Sequence, residues 1–475
     1  MRVLFVVDQI DYEPQGIMCL SSALKAAGHE VELTIARHED PVEAARRFQP
    51  GIVGYSVITG SHRWYLDVNQ RIKAALPAAF SAFGGPHATF FPEMIEAEGV
   101  DGVCRGEGED ALVDLANALQ AGAFDAHIPN WYFKHNGQII RNDVRPYIAD
   151  LDAYPPPDRE LIYSHDHTAR LSKIKHFIAG RGCPFDCTYC FNHALAELYH
   201  GKGRPFRIRS VPAVLREVDE TRRRHNLEFV VFVDDTFILD RQWLTEFAES
   251  YPKQIGLPFF CNVRANLVNE EIVALLKRAG CHSVSMGVEA GNDRVREELL
   301  RRHISKEQIL RAAHLLRQAG IQFTTTNMIG LPQTTIAHDL ETLDLNIACR
   351  PAYAHAFMFQ PYPRTHLGEY AREHDLMAGS FDDIGEVAWD DSVLTFSPQH
   401  KRLLRNLQRF FAIVVEWPRL RSFVVRALLP MPNNSLFWLL NKLWKGYAIK
   451  TRVHPVHLSP REYVEVAWHF MKIKS

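Results

Sequence analysis

The stretch Arg181-Gly182-Cys183-Pro184-Phe185-Asp186-Cys187-Thr188-Tyr189-Cys190-Phe191-Asn192 decides how this chain is read. Its cysteines follow the spacing Cys-x3-Cys-x2-Cys, directly after a run, Lys173–Ala179, that reads as a strand. Thiolates are the usual ligands of iron–sulfur clusters, and a closed four-iron site takes four of them. Three thiolates in one tight loop hold three irons and leave the fourth with an open position. A structural zinc site is the competing reading; zinc prefers four Cys/His ligands in paired spacings, and His193 would have to be the fourth. Cys19, Cys261, Cys281 and Cys349 lack ligand spacing and read as buried thiols.

Outward from the loop, apolar runs alternate with helical patterns. Strands are expected at Lys173–Ala179, Phe229–Val233, Phe259–Val263, Ser283–Val288, Gln322–Ile329 and Ala354–Gln360. Helical patterns such as Val211–Arg224, Glu270–Ala279, Lys306–Gln318 and Ala337–Cys349 separate them. Six repeats suit a partial (βα)6 barrel of the TIM type, with its chemistry at the carboxyl ends of the strands. A second series precedes it: strands at Val3–Val7, Val31–Ile35, Ile52–Val57, Ala79–Phe83 and Gly102–Cys104 alternate with helix-like segments. That rhythm implies a Rossmann-like α/β domain with a parallel sheet, and the loops after Val7, Val57, Phe83 and Cys104 are the ones to watch. Between the series lie a hairpin-like stretch, Trp131–Ile140, and the run Pro155-Pro156-Pro157, which suit a connector. The domains expected are 1–125, a linker at 126–170, a barrel at 171–375 and a helical C-terminal domain at 376–475.

The bulk numbers exclude several classes. A chain of 475 residues exceeds one ordinary core, and a composition of 47% hydrophobic and 23% charged residues is that of a globular protein. A net charge of −2 gives no electrostatic reason to expect nucleic acid. The run after Met1 is too short for a signal-peptide core, and no stretch of about 18 apolar residues suggests a membrane span. Eight cysteines without a secretory signal fit a reducing, cytoplasmic setting.

The cysteine loop after the first strand of a six-fold βα series resembles the radical S-adenosylmethionine superfamily. Val231-Phe232-Val233-Asp234-Asp235-Thr236-Phe237, Gly287-Val288-Glu289-Ala290-Gly291 and Asn327-Met328-Ile329-Gly330-Leu331-Pro332 end the second, fourth and fifth strands, as the resemblance requires. The second-strand Gly-Gly-Glu common elsewhere in the superfamily is absent. The resemblance implies a [4Fe-4S] cluster on Cys183, Cys187 and Cys190, and S-adenosylmethionine chelating the open iron. It places Tyr189 and Phe191 near the adenine, Asp234 and Glu289 near the amino group or ribose, and Arg264 near the carboxylate or ribose. It also implies an external one-electron reductant of flavodoxin or ferredoxin type.

The first domain is similar to the cobalamin-binding domains fused ahead of such barrels. The similarity rests on Gly54-Tyr55-Ser56-Val57-Ile58-Thr59-Gly60, Phe83-Gly84-Gly85-Pro86-His87 and Val103-Cys104-Arg105-Gly106-Glu107-Gly108-Glu109. It implies cobalamin contacts from Ser56, Thr59, Gly84, Gly85, Pro86, His87, Gly106 and Glu107. Many free-standing cobalamin domains carry an axial histidine in an Asp-x-His-x-x-Gly loop; here Asp8-Gln9-Ile10-Asp11-Tyr12-Glu13-Pro14-Gln15-Gly16 has none. Cys104 and His87 read as packing or hydrogen-bonding residues rather than metal ligands.

Together the resemblances imply a cobalamin-dependent radical methyltransferase acting on an unactivated carbon or phosphorus of a small organic or lipid-like substrate. A non-methylating cyclisation, rearrangement or oxidation with the same cofactors is one alternative, and a non-catalytic cobalamin or iron–sulfur sensor is another. Between Lys401 and Pro455 eleven basic residues face a single acid, Glu416, with aromatic residues interleaved. That region reads as a cap on the barrel that shapes an apolar pocket; the competing reading is a basic amphipathic surface lying on a membrane.

Overall fold

The structure is a computed structural model, described here for residues 1–385 and 391–457. The chain divides into two compact units: Met1–Ser172 with Ala194–Arg209, and Lys173–His193 with the residues from Ser210 onward.

In the first unit, the apolar runs become β1 (Arg2–Val7), β2 (Glu30–Ile35), β3 (Ile52–Ser56), β4 (Phe80–Gly84) and β5 (Gly102–Cys104). They alternate with α1 (Gln15–Ala26), α2 (Pro41–Phe48), α3 (His62–Ala75), α4 (Gly85–Phe90) and α5 (Glu109–Gln120). The hairpin expected from Trp131 forms β6 (Trp131–His135) and β7 (Gln138–Arg141), which extend the same sheet. The order is β2-β1-β3-β4-β5-β6-β7, parallel through β5 and antiparallel beyond. Strands buried on both faces explain the continuous apolar runs: Val3 and Phe5 pack with Ile17 and Leu115 on one face, and Leu4 and Val6 with Val68 and Ile72 on the other. Chain order reverses between β1 and β3, which marks the cleft at their carboxyl ends as the ligand position of such a sheet.

The second unit holds six parallel strands in sequence order: β8 (Ile174–Phe177), β9 (Phe229–Phe232), β10 (Phe259–Val263), β11 (Cys281–Glu289), β12 (Gln322–Ile329) and β13 (Tyr353–Met358). The helices α6 (Val211–Arg224), α7 (Arg241–Gln254), α8 (Glu270–Ala279), α9 (Lys306–Gln318) and α10 (Ile336–Cys349) follow successive strands from β8 onward. This is the half-barrel the sequence pattern predicted. Two further helices, α11 (Pro398–Glu416) and α12 (Ser435–Ala448), complete it. Leu407, Phe411 and Val414 of α11 share a core with Ala354, Ala356 and Met358 of the edge strand β13.

The fifth-strand motif explains itself through packing. Asn327 donates to the His355 carbonyl at 2.8 Å and accepts from Asn346 at 2.6 Å, tying β12 to β13 and α10. Gly330 adopts φ +67°, and a Cβ there would come within 2.8 Å of Leu404. Its N–H donates to Asp339 Oδ1 at 3.0 Å. Burial pushes the Asp339 carboxyl up to about 7 from an ordinary 3.8, against the opposing effect of that hydrogen bond.

The folded chain therefore holds a proton that the unfolded chain releases between about pH 4 and about pH 7, so this group's contribution to stability falls as pH rises through that window. The variant Asp339→Asn is expected to gain melting temperature relative to the unmodified protein as pH is raised from about 5 to about 8. A melting-temperature gap independent of pH across that range would contradict the assignment.

Candidate functional site

The cysteine loop leaves β8 and is fastened from both sides. The Thr188 hydroxyl donates to the Leu299 carbonyl at 2.6 Å, its N–H donates to the Leu300 carbonyl, and its own carbonyl accepts from Leu367 N–H at 2.9 Å. Arg264, just beyond β10, donates through Nη1 to Cys187 Sγ at 3.3 Å and lies 3.8 Å over the Phe185 ring. Asn192 directs its backbone and side-chain N–H groups at Cys190 Sγ, at 3.5 and 3.6 Å. Donors aimed at sulfur stabilise a thiolate. In the free chain, burial pushes the Cys190 thiol up to about 12 and raises Cys183 as well.

His193 does not serve as a fourth ligand. Its Nε2 accepts from His366 N–H at 3.2 Å, which leaves Nδ1 to donate to the Cys187 carbonyl at 2.9 Å. Both ring nitrogens are occupied, so the tautomer follows and the zinc reading loses its ligand. Three thiols braced by nitrogen donors fit a four-iron cluster with one open iron.

Around the loop the sequence-expected residues fall into two groups. Tyr189 accepts from Arg302 Nη1 at 2.6 Å, and Arg302 Nη2 donates to the Gly287 carbonyl at 2.8 Å and lies 3.8 Å from Glu289. Glu289 sits at φ +67°, where its carboxylate also meets Thr326 at 3.2 Å. Burial raises its carboxyl; Arg302 opposes the rise. A Cβ at Gly287 would run into the side-chain ends of Arg302 and Glu289, so a larger residue there would displace both. Phe191 packs 5.2 Å from Tyr362. Asp234 behaves differently: its carboxylate accepts N–H bonds from Ala179 and Gly180, in the backbone that leads into the cysteine loop. Burial holds it at about 7.

Three participants were not singled out by the sequence reading, although Asp235 lies inside the second-strand motif. Arg302 joins Tyr189 to Glu289; Arg296, 1% exposed, braces the intervening segment by donating to the carbonyls of Ala290, Gly291 and Ile304. Asp235, reached by solvent yet ringed by protein, faces Cys183, Cys190 and Asn192, and burial raises its carboxyl. Period-two alternation past β9 was the available signal, since it sends Asp234 and Asp235 to opposite sides.

In the first unit, Ser56, Thr59 and the turn Gly84-Gly85-Pro86-His87 gather at the carboxyl ends of β3 and β4. Gly85 has φ +89°, and a Cβ there would lie 2.7 Å from Val57 N and 3.1 Å from Ser56 Oγ. Gly84 carries no such constraint. Thr59 Oγ1 meets His87 Nδ1 at 3.1 Å, and the His87 ring stacks on His62 at 4.4 Å. Burial and then His62 push His87 down to about 3, so it stays neutral. Tyr12 and Ile58, in the loops after β1 and β3, are 67% and 46% exposed at the cleft. Gly106 and Glu107 are engaged by the chain itself: a Cβ on Gly106 would clash with Tyr199, and the Glu107 carboxylate binds Arg207 at 2.7 and 2.9 Å and Ile148 N–H at 2.8 Å. A cradle that admits only glycine, hydroxyls beside it and exposed apolar side chains at the switch point fit a bulky nucleotide-tailed cofactor.

Comparison with known proteins agrees. Residues 177–345 match the radical SAM superfamily and residues 1–116 the B12 binding domain. An uncharacterised methyltransferase of Pyrococcus horikoshii is 28% identical over 372 residues, 77% of this chain and 79% of the relative. An anaerobic magnesium-protoporphyrin IX monomethyl ester cyclase of Rubrivivax gelatinosus is 28% identical over 394 residues, 77% of this chain and 69% of the relative. The cobalamin-dependent S-adenosylmethionine radical enzyme OxsB shares the fold at TM-score 0.68 and 15% identity, covering 99% of this chain and 83% of its own. The fold and site define a radical enzyme of the cluster-and-S-adenosylmethionine class. The chain belongs to the radical SAM superfamily, among the members that carry a cobalamin-binding domain ahead of the barrel.

Two outcomes test the geometry. Replacing Arg264 by Gln removes a cation and a hydrogen bond from a ligand sulfur, which disfavours adding an electron; redox titration is expected to show a cluster potential lower by about 60 mV, a tenfold change in a one-electron equilibrium. An unchanged potential would place Arg264 outside the cluster's field. Gly85→Ala is expected to lose bound corrinoid on purification while iron content stays the same; full corrinoid retention would move the cofactor away from this turn.

Proposed function

We propose that this enzyme is a cobalamin-dependent radical methyltransferase that methylates an unactivated carbon or phosphorus of a small organic or lipid-like molecule. The observation that carries the proposal is the pairing of a three-thiol loop, braced by Arg264 and Asn192, with a glycine-only cradle at the switch point of a cobalamin-type sheet. When bound, the cluster supplies the electron that splits S-adenosylmethionine, and cobalamin supplies a transferable methyl group.

The chain's own groups position and shield. Arg264 and Asn192 donate N–H groups to the sulfurs of Cys187 and Cys190 and would brace them when they hold the cluster. Tyr189, Arg302 and Glu289 form a fixed polar edge beside the loop, suited to the ribose and amino-acid end of S-adenosylmethionine. Asp234 acts one step back, fixing the Ala179–Gly180 backbone from which the loop departs, while Phe191 and Tyr362 offer apolar surface. A small one-electron donor protein is the expected reductant. Non-methylating ring closure is the second reading, favoured by the similarity to the Rubrivivax gelatinosus cyclase.

Co-product analysis separates the two. Reconstituted anaerobically with iron, sulfide and cobalamin, and given S-adenosylmethionine with a low-potential reductant, the enzyme is expected to form both S-adenosylhomocysteine and 5′-deoxyadenosine. Deoxyadenosine without any homocysteine product would end the methylation reading and leave ring closure. The Cys187→Ala variant is expected to lose the cluster's iron and all deoxyadenosine; cleavage at the normal rate in that variant would overturn the radical assignment.

A further inference from the structure

We propose that the α11–α12 module is a docking surface for an anionic lipid bilayer, on which the enzyme lies without crossing it. The proposal is independent of which reaction the site performs.

The helix α12 presents Leu436, Leu439, Leu440, Leu443 and Tyr447 to solvent, at 58, 36, 40, 58 and 56% exposure. Offsets of three, four, seven and eleven residues place them in one stripe along the helix. A core-facing amphipathic helix turns such a stripe inward; here the opposite face, with Phe437 and Ala448, is the buried one. Across from it, Trp417, Leu420 and Phe423 are 47, 39 and 58% exposed and join Leu440, Leu443 and Tyr447 in an almost wholly apolar groove of about 460 Å³. Scattered exposed leucines need no account, but a contiguous groove framed by two apolar ridges marks an interaction site.

Charge identifies the occupant. From Lys401 to Pro455 the sequence carries eleven basic residues and one acid. The acid, Glu416, is held by Arg452 at 2.8 Å; Arg421 is engaged by Asp344 of α10, Lys401 and Arg405 by Asp391, and Arg409 and Lys442 are buried. The exposed Arg419 and Arg426 flank the groove residues and pair with no carboxylate among the described residues. A second copy of this chain would bring the same cations against them, whereas an anionic headgroup layer neutralises them while the leucine ridge enters the acyl boundary. Among the described residues no helix is long and apolar enough to cross a membrane, which fits a surface-lying element.

Flotation of the full-length enzyme with vesicles tests this, comparing phosphatidylcholine alone with phosphatidylcholine mixed with phosphatidylglycerol. At least tenfold tighter binding to the anionic vesicles is expected, weakened by salt. Neutralising Arg419 or Arg426 is expected to cost about fivefold each. The triple variant Phe423→Ser, Leu439→Ser, Leu443→Ser changes exposed side chains only; it is expected to keep its melting temperature and iron content yet lose vesicle binding. Absence of binding by the unmodified enzyme, or full binding by the triple variant, would overturn the proposal. So would a dimer that the triple variant dissolves, since a second copy would then own the face. Binding by a chain ending at His457, where the full chain fails to bind, would assign the groove to residues 458–475 instead.

Discussion

Two guanidinium groups buried beside the cysteine loop set the terms for the rest of the barrel's mouth. Arg264 and Arg302 are 6% and 7% exposed, and a cation removed from water costs several kcal/mol unless fixed partners compensate it. Glu289 is the carboxylate nearest Arg302, and burial drives that carboxyl toward its neutral form. The carbonyls of Gly287 and Arg302 and the Tyr189 hydroxyl absorb N–H groups without supplying charge. Neutral acceptors thus take most of the N–H groups of the two cations, with Glu289 the one carboxylate within 4 Å of Arg302 among the described residues. Thiolates holding a cluster at Cys183, Cys187 and Cys190 would add negative charge beside Arg264, which would couple ligation of iron to compensation of that cation.

That coupling also explains which parts of the site were legible in the sequence. The cysteine spacing is local, so three cysteines in eight residues announce themselves. Arg302 and Arg296 act across the fold and belong to no repeated pattern; their role exists only once β11 and the segment after it bend back on the loop. The Asp234-Asp235 pair was legible as a feature and ambiguous in detail. The pleat sends one carboxylate toward the Ala179–Gly180 backbone and the other toward the cysteines, and the sequence-based choice settled on the backbone-facing member.

The strands were readable for a different reason. Parallel strands buried on both faces must be apolar throughout, and their helices must show a period near 3.6, so the two signals alternate visibly along the chain. The role of a glycine is less visible. Gly84 and Gly85 look equivalent in the sequence, yet only Gly85 faces backbone too close for a Cβ. Gly106 is required by the Tyr199 ring, more than ninety positions away, and Glu107 is claimed by Arg207 at a similar distance in sequence. A glycine-rich turn shows that some close approach occurs. It does not say whether the approaching group is a cofactor or the chain's own side chain.

The fifth-strand motif makes the same distinction at the other end of the sheet. Asn327, Thr325 and Asn346 form a buried amide network, and unsatisfied members of such a network would each cost about 1–3 kcal/mol. Gly330 then turns the chain under Leu404 of α11, so the motif locks strand, helix and C-terminal module together. A sequence signature shared by radical enzymes can thus mark the architecture that holds a cofactor in register rather than the contacts that bind it. Here the signature at β12 is architectural. The one at β11 divides its work: Gly287 makes room for Arg302 and Glu289, while Gly291 packs against the α10 backbone at Glu341.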